Sequence, residues 1–281
     1  MKKLKISIIT NFQECCTKED YIIAKSFAED GHHVDMLNFP IIDGYENNYD
    51  LIVFKNAWDL SEDTYKNYFI EEEKFFKRIE NSKAKIVNTL DGKLNIRKKG
   101  KRIVVELFKQ GYNVIPTIDK IEDFHLLPKA IMYVKKPITG YDGFDMQFID
   151  KDQVANITLD NEVLQPKLDF KSEVQMYFVN DKFEYALEYT PSKWPDYPIP
   201  QETTPTKEEI DNALKFIKLN NLSCGFGRID FLRLNDNSLI MLELADSNPN
   251  MSLPYLKRET SNKFLKDFKT ACYSYIKSKK G

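Results

Sequence analysis

"RIDFLRLNDNSLIMLEL", residues 228–244, decides how this chain is read. Two apolar stretches flank Asn235, Asp236, Asn237 and Ser238, residue types that favour tight turns. Strand side chains alternate between faces, so Arg228, Asp230 and Leu232 share one face of the first strand. A turn symmetric about Asp236 and Asn237 sets Asp230 opposite Glu243 and puts Met241 on the same face as Glu243. Two carboxylates opposed across a ladder repel and destabilise the sheet. Two arrangements relieve this. In one, the face is solvent-exposed and Arg228 neutralises both acids. In the other, a divalent cation sits between the carboxylates. Mg²⁺ takes oxygen ligands, commonly one or two carboxylates plus substrate phosphates, and Arg228 beside it would hold a phosphate.

Working outward, the first ninety residues alternate strand and helix. "KISIIT" (5–10), "HVDMLNF" (33–39), "YDLIVFK" (49–55) and "AKIVNT" (84–89) read as buried strands. Between them, residues 18–33 read as a helix ending near Gly31, and 62–81 as a second helix. This alternation predicts a mainly parallel sheet covered by helices. Ligands of such sheets collect beyond the carboxyl ends of the strands, which is where "KNAWD" (55–59) falls. Next come a helix over 101–110 stopped by Gly111, a strand "AIMYVKKP" (130–137), a Gly-containing turn leading into a strand that ends at Asp150, and the strand "EVLQPKL" (162–168). Pro166 marks that last strand as an edge or an exit from the sheet. "EVQMYFV" and "KFEYALEY" around Asn180-Asp181 predict a hairpin. A Pro-rich loop (192–206), a helix over 207–219, the opening hairpin and a helix over 262–277 complete the chain. The fold class expected is α/β in front and α+β behind.

Composition narrows the function. Basic and acidic residues number 41 and 43, for a net charge of −2, so no excess positive charge exists to match a nucleic-acid backbone. The basic run "KLNIRKKGKR" (93–102) keeps a local anion site open. No apolar run approaches the ~18 residues of a membrane helix, and the short apolar segment after "MKKLK" is no signal-peptide core. Cys15, Cys16, Cys224 and Cys272 show no metal spacing, which suits reduced thiols in a cytoplasmic protein. No Walker-type Gly-rich loop and no nucleophile elbow are present. Lys101 at a helix start and Lys136 at a strand end read either as ordinary solvated charge or as phosphate ligands. The strand around Pro166 reads either as a plain crossing strand or as a backbone edge for adenine.

Taken in order, these features resemble the ATP-grasp superfamily. They comprise a Rossmann-like front, a lysine before a helix, a Lys-Pro after a strand with a Gly turn, "VLQP", then "GRIDFL" and "LEL". Within it, the chain is similar to the O-ureido-serine cyclo-ligase-like and glutathione synthetase-like carboxylate–amine ligases. "KNAWDL" (55–60) stands where those proteins have R-S-x-W-D-Y. Asn88 and "KRIVVELFKQGYNVIPT" (101–117) follow their N…K-x-Y-L-x-x-L…G-x-x-x-x-P-T pattern.

The resemblance implies three units: a Rossmann-like substrate-side domain over 1–90, a central lid over 91–165 and a metal and ATP unit over 166–281. It implies ATP held by Lys101 and Lys136 through phosphates, by Gln165, Pro166, Lys167 and Leu168 through adenine, and by Glu173 through ribose. Asp230, Glu243 and Asn248 would bind Mg²⁺, with Mn²⁺ as an alternative. Arg228, with Lys101 and Lys136, would add positive charge around the transferring group. Lys193 is the nearest basic residue to a missing substrate-side arginine and is taken with Arg228 as catalytic. Lys55, Asn56, Trp58 and Asp59 would recognise substrate. The chain departs from the pattern at Ala245, where relatives carry a further metal ligand; Asp246 or Asn248 would have to replace it. It departs again at Lys55, where they carry arginine. The activity implied is amide formation between a small carboxylate and an amine through an acylphosphate, with residues 190–205 and 138–144 as lids. Two alternatives are a non-catalytic nucleotide-binding protein on the same scaffold and a metal-dependent phosphotransferase or hydrolase. A homodimer stays open; nucleic-acid and membrane partners are not expected.

Overall fold

A computed structural model describes residues 2–12, 17–55, 62–89, 91–94, 99–139, 145–191, 199–245 and 249–278, without the side chains of 62–70. The front sheet is parallel, ordered β2-β1-β3-β4, from strands β1 (Lys5–Thr10), β2 (His33–Asn38), β3 (Leu51–Phe54) and β4 (Lys85–Val87). Helices α1 (Lys18–Glu29) and α2 (Glu62–Asn81) connect them. Ile6, Ile8, Leu51 and Val53 enter one core, while Ile9, Ile52, Phe54 and Ile86 enter another on the opposite face. Burial on both faces explains why these strands read as continuous apolar runs rather than alternating ones.

A second sheet, ordered β6-β5-β7, contains β5 (Met132–Pro137), β6 (Gln147–Asp150) and β7 (Glu162–Pro166). Helix α3 (Arg102–Lys109) precedes it. Gly100 lets α3 start close to this sheet. Its φ is +54°, and a Cβ there would meet Ile138 O at 2.5 Å, the same carbonyl that accepts the Lys101 N–H at 2.9 Å.

The third sheet runs β10-β9-β8-β11-β12, from β8 (Phe170–Val179), β9 (Lys182–Tyr189), β10 (Gln201–Thr203), β11 (Phe226–Leu234) and β12 (Leu239–Ala245). Helix α4 (Lys207–Asn220) opens with the capping box expected of T-x-x-E: Thr206 N–H donates to Glu209 Oε2 at 2.7 Å and Glu209 N–H to Thr206 Oγ1 at 3.2 Å. Helix α5 (Arg258–Lys277) starts four residues before its expected position and joins the front and third sheets. Phe264, Phe268 and Cys272 lie in one core with Ile8, Tyr177 and Phe226. Cys224 and Cys272 are free and buried; Cys15 and Cys16 lie outside the described residues.

The opening hairpin forms, with one correction. Near the turn Phe231 pairs with Met241, yet Asp230 pairs with Glu243, so Leu242 is a bulge. Met241 therefore does not share a face with Glu243; it is fully buried among Ile229 and Phe231. The bulge also turns Glu243 outward. In an unbroken ladder Glu243 would oppose Ile229 on the buried face.

A connector joins the second and third sheets. Ile115 N–H donates to Met241 O on β12 at 2.8 Å, and Ile118 exchanges hydrogen bonds with Leu164 on β7 at 3.0 and 2.8 Å. Among the described residues no helix is long and apolar enough to cross a membrane.

Candidate active site

The opposite faces of β8 and β11 do different jobs. Val174, Met176, Phe178, Ile229 and Phe231 face the core under α3 and α4. The other face carries three cross-strand rows. Tyr177, Arg228 and Ala245 form the first; Gln175, Asp230 and Glu243 the second; Glu173 and Leu232, with Ile240, the third. A hydrogen-bond chain runs down β8, from Tyr177 OH to Gln175 Oε1 at 2.8 Å and from Gln175 Nε2 to Glu173 Oε1 at 2.9 Å. Sequence reasoning missed Gln175 and Tyr177. Their signal was there, because polar 173, 175 and 177 alternate with apolar 174, 176 and 178.

Arg228 grips Asp230 with two hydrogen bonds, Nε to Oδ1 at 2.7 Å and Nη2 to Oδ2 at 2.8 Å. Neither side chain is much exposed, at 17% and 5%. Burial pushes the Asp230 carboxyl up; Arg228 pulls it down, Glu173 and Glu243 push it up again, and the balance is about 7. So Arg228 partly neutralises the pair, as one expectation held, but on a buried surface rather than an exposed one. Two opposed carboxylates with Gln175 beside them form an oxygen-rich set that suits Mg²⁺. Among the described residues no group of three His, Cys, Asp or Glu side chains is gathered for a metal. Any ion here would complete its shell with phosphate oxygens and water.

Two lysines from other elements converge on this face. Burial lowers the Lys101 ammonium from its ordinary value, and Glu243 opposes the shift. Lys136 at the end of β5 is likewise lowered by burial and by Lys101, with Glu243 and Glu173 opposing. The pair thus places concentrated positive charge beside the Asp230–Glu243 row.

Gln165 lies on the face of the second sheet that carries Lys136, paired with Val134. Its Nε2 donates to Thr117 Oγ1 at 3.0 Å, and that hydroxyl donates to Ile115 O at 2.7 Å. The relay fixes the amide and leaves Gln165 Oε1 buried with no partner among the described residues. Pro166 is buried, the Lys167 N–H is taken by Met132 O at 2.9 Å, and Leu168 packs at the rim of the α4-side core. The Lys167 ammonium sits 5.9 Å from the Phe148 ring centre.

Lys55 has partners that sequence reasoning did not supply. It is fully buried; Nζ meets Glu19 Oε1 at 2.8 Å and donates to Pro249 O at 2.8 Å. Its ammonium is therefore not presented as a carboxylate clamp. Asn56, Trp58, Asp59, Lys193, Asp246 and Asn248 lie outside the described residues.

No family model matches the sequence, and no curated protein does. Solved structures match over nearly the full length. D-cycloserine synthetase DcsG aligns with TM-score 0.75 at 17% identity, covering 97% of this chain and 100% of that one. D-alanine–D-alanine ligase from Bacillus anthracis, complexed with ATP, aligns with TM-score 0.67 at 13% identity, covering 98% and 99%. A RiPP-associated ATP-grasp ligase from Chryseobacterium gregarium, in complex with ADP and a leader and core peptide, aligns with TM-score 0.66 at 15% identity, covering 96% and 97%. Agreement over nearly the whole chain, across such divergent sequences, establishes that this chain has the ATP-grasp fold.

Proposed function

We propose that this chain is an ATP-dependent carboxylate–amine ligase. The observation that carries this proposal is the convergence of Lys101 and Lys136 on the Asp230–Glu243 row, with Arg228 alongside. Opposed acids beside buried cations match the needs of a nucleoside triphosphate and its metal. Lys101 and Lys136 would bind phosphate oxygens, and Gln165 to Leu168 would face adenine, with the fixed Gln165 Oε1 as acceptor for the 6-amino group. Glu173 would meet the ribose. Asp230 and Glu243, with Asn248, would hold Mg²⁺ or Mn²⁺, which when bound neutralises phosphate charge.

Arg228 would stabilise the charge that develops as a substrate carboxylate takes the γ-phosphoryl group. An amine would then attack the acyl carbon of the acylphosphate, forming the C–N bond and releasing inorganic phosphate, to give an amide. The acylphosphate would need shielding from bulk water, and the low exposure of Arg228 and Asp230 supports such a site. Lys193 and the loop around it, with Asn56, Trp58 and Asp59 of the front unit, complete the proposed substrate side. Known neighbours act on amino acids or bind peptides, by their names, so both classes belong in the test. That test is phosphate release from Mg·ATP across a panel of amino acids and short peptides paired with amines, with mass detection of the amide. Release that depends on both partners is the expected result; Mg·ATP binding without turnover across the panel would sink it.

One observation favours a second reading. Ala245 stands opposite Arg228, so no further acid joins Asp230 and Glu243 at that position. A nucleotide-binding protein without ligase turnover would tolerate that. A phosphotransferase or hydrolase would release phosphate with no amide product.

A further inference from the structure

The segment Pro249–Ser252, just beyond the metal hairpin, is gripped from two directions. From the front unit, the Lys55 ammonium donates to Pro249 O at 2.8 Å. Glu19, at the start of α1, accepts the Met251 N–H on both oxygens at 3.2 and 3.0 Å. From β11, the Arg228 Nη1 donates to Asn250 O at 3.4 Å. Three consecutive residues therefore join the front sheet to the arginine that grips Asp230. Tyr185 OH reinforces the segment by donating to Met251 O at 2.5 Å.

The Lys55–Glu19 pair is 0% and 1% exposed. Burying two charges costs about as much as their attraction returns, and apolar substitutes are often as stable. Stability alone is thus a poor reason for the pair. Its geometry offers a better one. Each charge has a second bond to a backbone group of the same short segment, so together they fix that segment's position as well as its burial.

We infer that Lys55 and Glu19 are positioning residues that orient Arg228 for the triphosphate through the backbone of Pro249–Met251. This rests on the nucleotide site proposed above. Lys55 acts through the Pro249–Asn250 backbone and Arg228 rather than by touching substrate. Interactions one step removed from a metal site commonly change affinity by about 10- to 100-fold.

The test uses the full chain and three variants, with amide hydrogen exchange measured without nucleotide and Mg·ATP affinity measured by calorimetry. The Glu19→Gln/Lys55→Met variant removes both charges yet leaves an acceptor for the Met251 N–H, so its Tm stays near the parent value. It binds Mg·ATP about tenfold more weakly, and exchange rises at 226–232 as well as at 249–252. Lys55→Met alone gives the same loss of affinity, because both variants remove the same bond to Pro249 O. Glu19→Gln strands a buried ammonium and lowers Tm, but keeps the bonds to Pro249 and Met251 and so keeps the parent affinity. A folded double variant with parent affinity, or an exchange increase that stops at 249–252, overturns the inference. Failure of the parent chain to bind Mg·ATP would instead sink the nucleotide site, and the exchange result would still decide whether the coupling exists.

Discussion

Asp230 and Glu243 face each other across the β11–β12 ladder only because Leu242 bulges out of β12. A turn symmetric about Asp236 and Asn237 pairs the same two residues by another route. The observed turn is offset by one residue, and the bulge restores the expected pairing from Asp230 back to Arg228. Bulges are common where a side chain must be re-aimed at a site.

Neutralising either acid tests that pairing. Asp230→Asn and Glu243→Gln each reduce phosphate release from Mg·ATP on the order of a hundredfold or more, with far-UV circular dichroism unchanged. Full activity in either variant would remove that residue from the metal set.

Gln165 makes a sharper prediction about the base. Its Oε1 is buried without a partner among the described residues, because Thr117 fixes the amide. A hydrogen bond from the 6-amino group of adenine contributes about 0.5–1.5 kcal/mol. Gln165→Leu therefore weakens ATP binding several-fold and leaves GTP, which has a 6-oxo group, little changed. Competition titration of ATP against GTP measures the ratio, and an unchanged ratio would show that the amide does not read the base.

Lys101 and Lys136 both have ammonium groups lowered by burial. Between each lowered value and the ordinary 10.5, the unfolded chain binds more protons than the folded one. Stability from these groups thus rises with pH through that window. Phosphate oxygens favour the charged ammonium, so nucleotide binding draws protons back on. Calorimetry at alkaline pH in buffers of different ionisation enthalpy should record net proton uptake, reduced in Lys136→Met. Equal binding enthalpies in all buffers would contradict this.

Gly100 is a position where a methyl group should be felt at a distance. Alanine there meets a positive φ and the Ile138 carbonyl together. Gly100→Ala is expected to cost about 1–3 kcal/mol of stability and to weaken ATP binding by displacing Lys101. Thermal unfolding and nucleotide titration report the two effects separately.

Much of this was legible in the residues. Apolar runs marked the parallel front, and the R-x-D strand with its acidic partner marked the hairpin. What stayed hidden depended on distance along the chain. Nothing near Lys55 announces Glu19, and nothing near Asn113 announces that Ile115 and Ile118 will reach strands 126 and 46 residues later. The Leu242 bulge was hidden for another reason: Asn, Asp and Ser fit turns of more than one length, so composition alone does not fix register. The start of α5 was missed because Arg258, Glu259, Thr260 and Ser261 lack apolar periodicity, although they continue the helix.

The connector between the second and third sheets has a consequence beyond geometry. Ile118 covers the outer side of β7, and Val114 with Ile115 covers the outer side of β12. Unpaired strand edges are templates on which other chains stack. One short segment therefore seals two such edges at once, and a substitution that loosened it would be expected to show first as self-association rather than as lost catalysis.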